Sequence, residues 1–230
     1  MADGVYSMFG DYAQIPELLA LTQKYSQHNL YFDDVHGMSW RGKNGTGFIF
    51  DAIKELPENC VVVSTLSKTF GASGATVFCR NQRLRDKIKN FGGPLTFSAQ
   101  LEPASVAAAI ASADIHLSPE IELKQKDLAD KIGYFNQLLS NGNLPIISKN
   151  DSPVFFLGMG TPATAYNFSK RLFKEGFFLN LGIYPAVPIK NTGIRITLSS
   201  HNQQQDIIAM SEALEYHFPK ALEETNNSEN

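Results

Sequence analysis

The stretch VVVSTLSKTFGASGATVFC, Val61 to Cys79, constrains this chain more than any other. Val61, Val62 and Val63 form a continuous apolar run of the kind found in a strand buried on both faces, and Ala75 to Cys79 is a second β-rich run. The lysine between them, Lys68, is therefore expected at the end of a buried strand, in the turn of a hairpin. Ser64, Thr65, Ser67 and Thr69 surround it with hydroxyls, while Gly71 and Gly74 permit positive φ or a close approach of the backbone to a ligand. The plainest reading is a solvent-exposed lysine in a polar loop. A nucleotide-binding P-loop fails on spacing: Ser67 stands where that motif needs the glycine before its lysine, and Val62 where it needs its first glycine.

The rest of the chain sets limits on function. With 230 residues, 43% of them hydrophobic, there is material for one large or two small domains with a substantial core. A net charge of -3 and a pI near 6.0 leave no basic footprint for nucleic acid and no polybasic segment for a membrane surface, so neither partner is expected. No run approaches the roughly 18 apolar residues of a membrane span, and MADGVYSMFGD lacks the basic and apolar regions of a secretory leader, so a cytoplasmic protein is expected. Cys60 and Cys79 sit beside or inside strand-like runs and read as buried reduced thiols, with no metal or disulfide pair expected.

Helical and strand-like patterns alternate along the chain. Pro16 opens an amphipathic helix carrying Ile15, Leu18, Leu19 and Tyr25, and LYFDD, Leu30 to Asp34, reads as the strand that follows. After the lysine hairpin come a charged helix near Arg80 to Asn90, a loop FGGPLTFSAQLEP, and an alanine-rich helix after Pro103. Ser118, Pro119 and Glu120 form a helix start with a hydroxyl cap, which leads the chain into a second domain. There SPVFFLGM, FFLNLGI and GIRITLS read as strands, Pro162 to Lys174 as a helix, and Asn202 to Gln205 as a capping box for the last helix. The expected division is residues 1–117, 118–220, and a polar, disordered tail over 221–230.

The expected strand ends in DDVHG, which puts Asp33 and His36 three residues apart at its exit. In open α/β sheets ligands bind beyond the carboxyl ends of strands, so Asp33, His36 and Lys68 are expected to converge on one crevice. Asp-x-x-His alone is compatible with a metal pair, but a satisfied structural pair is the commoner arrangement. Gly42, Gly45 and Gly47 imitate a phosphate loop in the wrong order for a dinucleotide fingerprint.

Five motifs in order, DGVYSMFGD, DDVHG, STLSKTFGASGA, FSAQLEPA and IRITLSSH, resemble those of the α-oxoamine synthases, pyridoxal-phosphate enzymes of the fold-type-I aminotransferase superfamily. The resemblance runs from about Asp3 to Leu214 and leans toward the branch making 8-amino-7-oxononanoate. It implies an α/β architecture: the C-terminal part of a large, mostly parallel-sheet domain followed by a small α+β domain. It also implies pyridoxal 5'-phosphate held by Lys68 as a Schiff base, with the same lysine moving protons, a task that needs an amine able to lose its charge. Asp33 would keep the pyridine nitrogen protonated, because a nearby negative charge favours the protonated base. His36 would hydrogen-bond the phenolic oxygen with Ser7 close by, and Thr65 would contact the phosphate. Arg195 would bind the amino-acid carboxylate through its planar fork. In related dimers a hydroxyl reaches the neighbour's phosphate, which points to Thr96 or Ser98 acting in trans.

Two positions depart from the family pattern: its usual Pro-Pro is Glu102-Pro103 here, and the segment before His201 is one residue shorter. Relatives also carry, before DGVYSM, much of the large domain, including an aromatic residue that stacks on the cofactor. The expectation is thus an enzyme condensing an amino acid with an acyl-coenzyme A, as a homodimer that needs that preceding segment for full cofactor binding. The rival readings are an aminotransferase using the same lysine, and an interaction module that keeps the fold without the chemistry.

Overall fold

The computed structural model describes residues 1–229. Its residues form two compact units: Met1–Tyr6 with Tyr12–Gln125, and Ser7–Asp11 with the chain from Lys126 onward.

In the first unit, β1 (Ala2–Asp3), β2 (Leu30–Asp33), β3 (Cys60–Thr65) and β4 (Ala75–Cys79) make one sheet in that order. The first three strands are parallel, and β4 turns back antiparallel on β3, with Val61 opposite Cys79 and Thr65 opposite Ala75. The carboxyl ends of the parallel strands, Asp3, Asp33 and Thr65, therefore share one edge of the sheet. Behind it, α1 (Ile15–Lys24) and α2 (Phe48–Ala52) cover a core of Ile15, Leu30, Phe32, Ile49, Ile53, Cys60 and Val62. Pro16 stands in the first turn of α1, where its missing N–H costs nothing, and Tyr25 caps the helix in an extended conformation instead of continuing it.

One sequence expectation is revised in this sheet. Burial alternates along β3, with Cys60, Val62 and Ser64 buried and Val61 and Val63 half-buried, so the valine run is not sealed on both faces. The partner β4 is an outer strand with Val77 and Phe78 exposed. The following helix, α3 (Gln82–Phe91), is capped by Asn81, whose side chain accepts the Leu84 N–H at 3.0 Å. A short helix, α4 (Gly93–Phe97), lies within the expected loop, set by Pro94 at its first turn. Next come α5 (Pro103–His116) and α6 (Glu120–Ser140), where the Ser118 hydroxyl accepts the Glu120 N–H at 3.2 Å. The division between units falls inside α6, after Gln125, and not at 117/118.

The second unit contains an antiparallel sheet ordered β5 (Val154–Gly160), β7 (Thr192–Thr197), β6 (Asn180–Gly182). Only three residues of the expected FFLNLGI strand pair. Two helices, α7 (Pro162–Lys174) and α8 (Gln204–Glu229), pack with it around Phe135, Phe155, Leu157, Phe168, Ile194 and Leu214. Thr161 caps α7 by accepting the Thr164 N–H at 3.2 Å. Replacing Thr161 by alanine should cost about 1 kcal/mol, read as a lowered denaturant midpoint at unchanged slope.

At α8 the cap sits one residue later than expected: Asp206 accepts the Gln203 N–H at 2.9 Å, while the Asn202 side chain turns back to the Ser199 N–H at 2.8 Å. The expected disordered tail is also corrected. The helix continues through Glu229, because Ala221 and Thr225, one turn apart, are buried and Asn167 donates to the Thr225 hydroxyl at 3.0 Å. Residue 230 lies outside the described residues. Among the described residues no helix is long and apolar enough to cross a membrane.

Candidate active site

Side chains alternate along β2, so Phe32 and Asp34 are buried in the core while Asp33 is half-buried at the carboxyl edge. The chain then turns sharply. Asp33 Oδ1 accepts the Val35 N–H at 3.0 Å, an Asx turn that sets the direction of the next residues. His36 follows, its carbonyl accepting the Trp40 indole N–H at 2.6 Å.

Lys68 Nζ lies 2.7 Å from His36 Nε2. With the ammonium donating, the imidazole accepts at Nε2 and carries its own proton on Nδ1. The loop that presents Lys68 is closed by three backbone bonds: Leu66 N–H to Gly74 O at 2.9 Å, Ala72 N–H to Leu66 O at 2.7 Å, and Gly71 N–H to Lys68 O at 2.9 Å. Gly71 and Gly74 take φ of 76° and 103°, the conformations that made glycine necessary there. His36 and Lys68 thus meet at the carboxyl edge of the sheet, where β2 ends in Asp33.

Thr65 ends β3 with its hydroxyl in use inside the hairpin, donating to Gly74 O at 3.2 Å and accepting the Ser67 N–H at 3.0 Å. Thr96 and Ser98 are exposed in and just after α4, bonded to the carbonyls of Gly92 and Pro94. Ser7 and Arg195 belong to the second unit. There Arg195 Nε donates to the Ser7 carbonyl at 2.7 Å, and burial lowers the guanidinium pKa. The glycines that imitate a phosphate loop, Gly42, Gly45 and Gly47, all have positive φ and shape the turn into α2.

One acidic residue at the edge opens the motif DGVYSMFGD, but the motif reading gives it no role in the site. Asp3 is the register partner of Asp33. Burial is the main cause raising its carboxyl pKa, the Asp33 charge adds to it, and Lys68 opposes. Its signal in the sequence is only an aspartate at the end of a two-residue strand, visible once β1 is known to pair with β2 in register.

Residues 1–211 match the family of class I and II aminotransferases. The chain belongs to that family. The 8-amino-7-oxononanoate synthase of Thermoanaerobacter pseudethanolicus is 32% identical to it over 215 residues, 94% of this chain and 53% of the relative. Among solved structures, the 8-amino-7-oxononanoate synthase of Francisella tularensis superposes with a TM-score of 0.82 at 24% identity, covering 95% of this chain and 62% of that one. A variant of the serine palmitoyltransferase of S. paucimobilis, with bound PLP-myriocin aldimine, gives 0.85 at 22%, over 96% and 54%. The fold is therefore that of the fold-type-I enzymes, and the recognised likeness is to α-oxoamine synthases. The family member described here spans about half the length of the curated relatives it matches.

Proposed function

We propose that this chain is the pyridoxal-phosphate-binding and C-terminal portion of an α-oxoamine synthase, an acyltransferase that condenses an amino acid with an acyl-coenzyme A. The observation that carries the reading is the contact of Lys68 Nζ with His36 Nε2, at the sheet edge where Asp33 stands. This donor set fits the cofactor: a lysine amine for an aldehyde, a carboxylate for a pyridine nitrogen, and an imidazole for a phenolic oxygen. When bound, pyridoxal phosphate supplies an electron sink for the carbanion at the amino acid's α-carbon.

The chain's own residues do the rest. Asp33 holds a proton on the ring nitrogen by its negative charge. His36 orients Lys68 and hydrogen-bonds the phenolic oxygen, with Ser7 assisting, and Lys68 Nζ moves the proton of the substrate α-carbon. Thr65 contacts the phosphate by turning its hydroxyl proton away from the Gly74 carbonyl. Arg195 holds the substrate carboxylate through its terminal nitrogens, since its Nε–H is committed to Ser7. The first unit serves within the large domain and the second as the small domain. A second copy completes the site through Thr96 or Ser98. Phe91, Leu95 and Phe97, exposed around them, supply an apolar surface for that copy to cover. The proposed setting is the cytoplasm, where the free thiols of Cys60 and Cys79 stay reduced.

An assay for free thiol separates this reading from its rivals. With pyridoxal phosphate, a panel of amino acids and a panel of acyl-coenzyme A donors, one pairing is expected to release coenzyme A thiol. Steady conversion of the cofactor to its amine form by amino acid alone, with no thiol from any donor, would make the chain an aminotransferase. Neither reaction would leave a non-catalytic module.

A further inference from the structure

We propose that Asp34 is the positioning residue of the Asp33–His36–Lys68 site: a buried carboxylate that clamps the turn after β2 to the first amides of α2 and so sets where Asp33 and His36 stand. The clamp rests on geometry alone, and what the clamped site binds rests on the functional reading above.

Asp34 is 1% exposed. Its Oδ2 accepts the Ile49 N–H at 2.9 Å, and the Phe48 N–H is a second donor to the carboxylate. Its backbone is tied as firmly: its N–H donates to Val63 O at 2.8 Å, and its carbonyl accepts the Gly37 N–H at 3.2 Å and the Ser64 hydroxyl at 3.3 Å. Three glycines from three segments enclose the carboxylate. A Cβ at Gly4, after β1, or at Gly37, in the turn, would overlap Oδ1, and one at Gly47, before α2, would overlap Oδ2. A solvent-facing helix cap needs no such enclosure. Here the backbone has been thinned at three points to admit a carboxylate, directly between Asp33 and His36 in the chain.

The arrangement has a built-in sensitivity to pH. Burial pushes the Asp34 carboxyl up to about 7, the Ile49 amide opposes, the Asp33 charge adds, and the Phe48 amide opposes weakly. Ionised, the group is an acceptor for both amides. Protonated, it becomes a weaker acceptor with a hydroxyl to place, and Oδ1 has no hydrogen-bond partner among the described residues. The clamp is therefore tight above about pH 7 and loosens below it. The other charged groups on the elements packed around Asp34 are Asp3 on β1, Asp33 and His36 on the turn, Lys68 after β3, and Asp51 of α2, which is paired with Arg41 at 2.9 Å.

Trp40 reports on the turn directly, being the chain's one tryptophan and donating its indole N–H to His36 O. Its fluorescence in the ligand-free chain should change with a midpoint near pH 7, in the parent and in His36→Gln alike. In Asp34→Asn, which keeps the shape and the acceptor for Ile49, the change should vanish. In Asp33→Asn the midpoint should fall to lower pH, because one of the charges raising Asp34 is gone. A transition that survives Asp34→Asn, is lost in His36→Gln, or keeps its midpoint in Asp33→Asn would overturn the clamp. Pyridoxal-phosphate titrations then test positioning: affinity should rise with pH through about 7 in the parent and flatten in Asp34→Asn. Asp34→Ala, which orphans both amides, should bind about tenfold more weakly. An affinity whose pH profile is identical in parent and Asp34→Asn would also overturn it. Failure of the parent to bind pyridoxal phosphate at all would instead remove the functional reading, with the Trp40 transition still deciding the clamp.

Discussion

Lys68→Arg should abolish covalent capture of pyridoxal phosphate by this chain. The parent, incubated with the cofactor and reduced with borohydride, should carry the pyridoxyl label on Lys68, and the arginine variant should carry none. The reason lies in the lone pair. An amine can bond an aldehyde only when it has lost its proton, and a guanidinium does not lose its proton in any protein environment. The substitution is a sharp one because so much else is kept: the positive charge, the length of the side chain, and donors able to reach His36 Nε2, which stands 2.7 Å from Nζ in the parent. If catalysis is present, removing the nucleophile and proton carrier together should lower it by on the order of 10⁴-fold or more. A label mapped to another lysine in the parent, or an arginine variant that is labelled as well, would show that Lys68 is not the attachment point.

That lysine was legible because its surroundings are local. A strand, a polar loop with two glycines and a second strand are all contained in nineteen or so consecutive residues, and hairpin pairing follows from such a pattern without long-range information. Asp33 and His36 were legible for the same reason, as the exit of one strand. What escaped depended on partners far along the chain. DDVHG contains two aspartates, and only the pleat of β2, pinned by its register with β3, decides that Asp34 is buried while Asp33 stays half-buried at the sheet edge. Gly47 looked like part of an imperfect phosphate loop, and it is glycine both for its positive φ and because a Cβ there would overlap the Asp34 carboxylate. The polar tail misled because composition predicts disorder, whereas Ala221 and Thr225 give it a buried stripe. The short segment Ser7–Asp11 could not be assigned to the second unit from sequence, since its ties are to Arg195 and Asn150, more than a hundred residues away.

Those ties converge on Phe156, and Phe156→Ala should destabilise the second unit by about 3–5 kcal/mol, a large fraction of the roughly 5–15 kcal/mol that holds a typical domain together. The ring is fully buried on β5. One edge of its environment is the Gly182–Gly193 pair of β6 and β7, where a Cβ at either glycine would collide with ring carbons. On another side Phe9 meets it edge-on, with centroids 5.0 Å apart and planes at 85°. Truncation leaves a cavity that strands cannot close, because β5, β7 and β6 are fixed by their ladder. Overpacking acts from the opposite direction: Gly182→Ala should cost about 1–3 kcal/mol, and Gly193→Ala more, since its Cβ would also overlap the Leu157 carbonyl. Denaturant unfolding of the parent and the three variants gives the order directly, and a loss below about 1 kcal/mol for Phe156→Ala would show that this slot is not what organises the sheet. The consequence reaches the chemistry as well. Phe156 is the register partner of Arg195, and Phe9, packed on its ring, belongs to the same segment as Ser7, whose carbonyl holds Arg195 Nε. Emptying the slot frees both ends of that contact, so the guanidinium proposed to bind the substrate carboxylate should lose its fixed orientation in any Phe156→Ala protein that still folds. Amino-acid affinity should then weaken more than the cofactor label on Lys68, which belongs to the other unit.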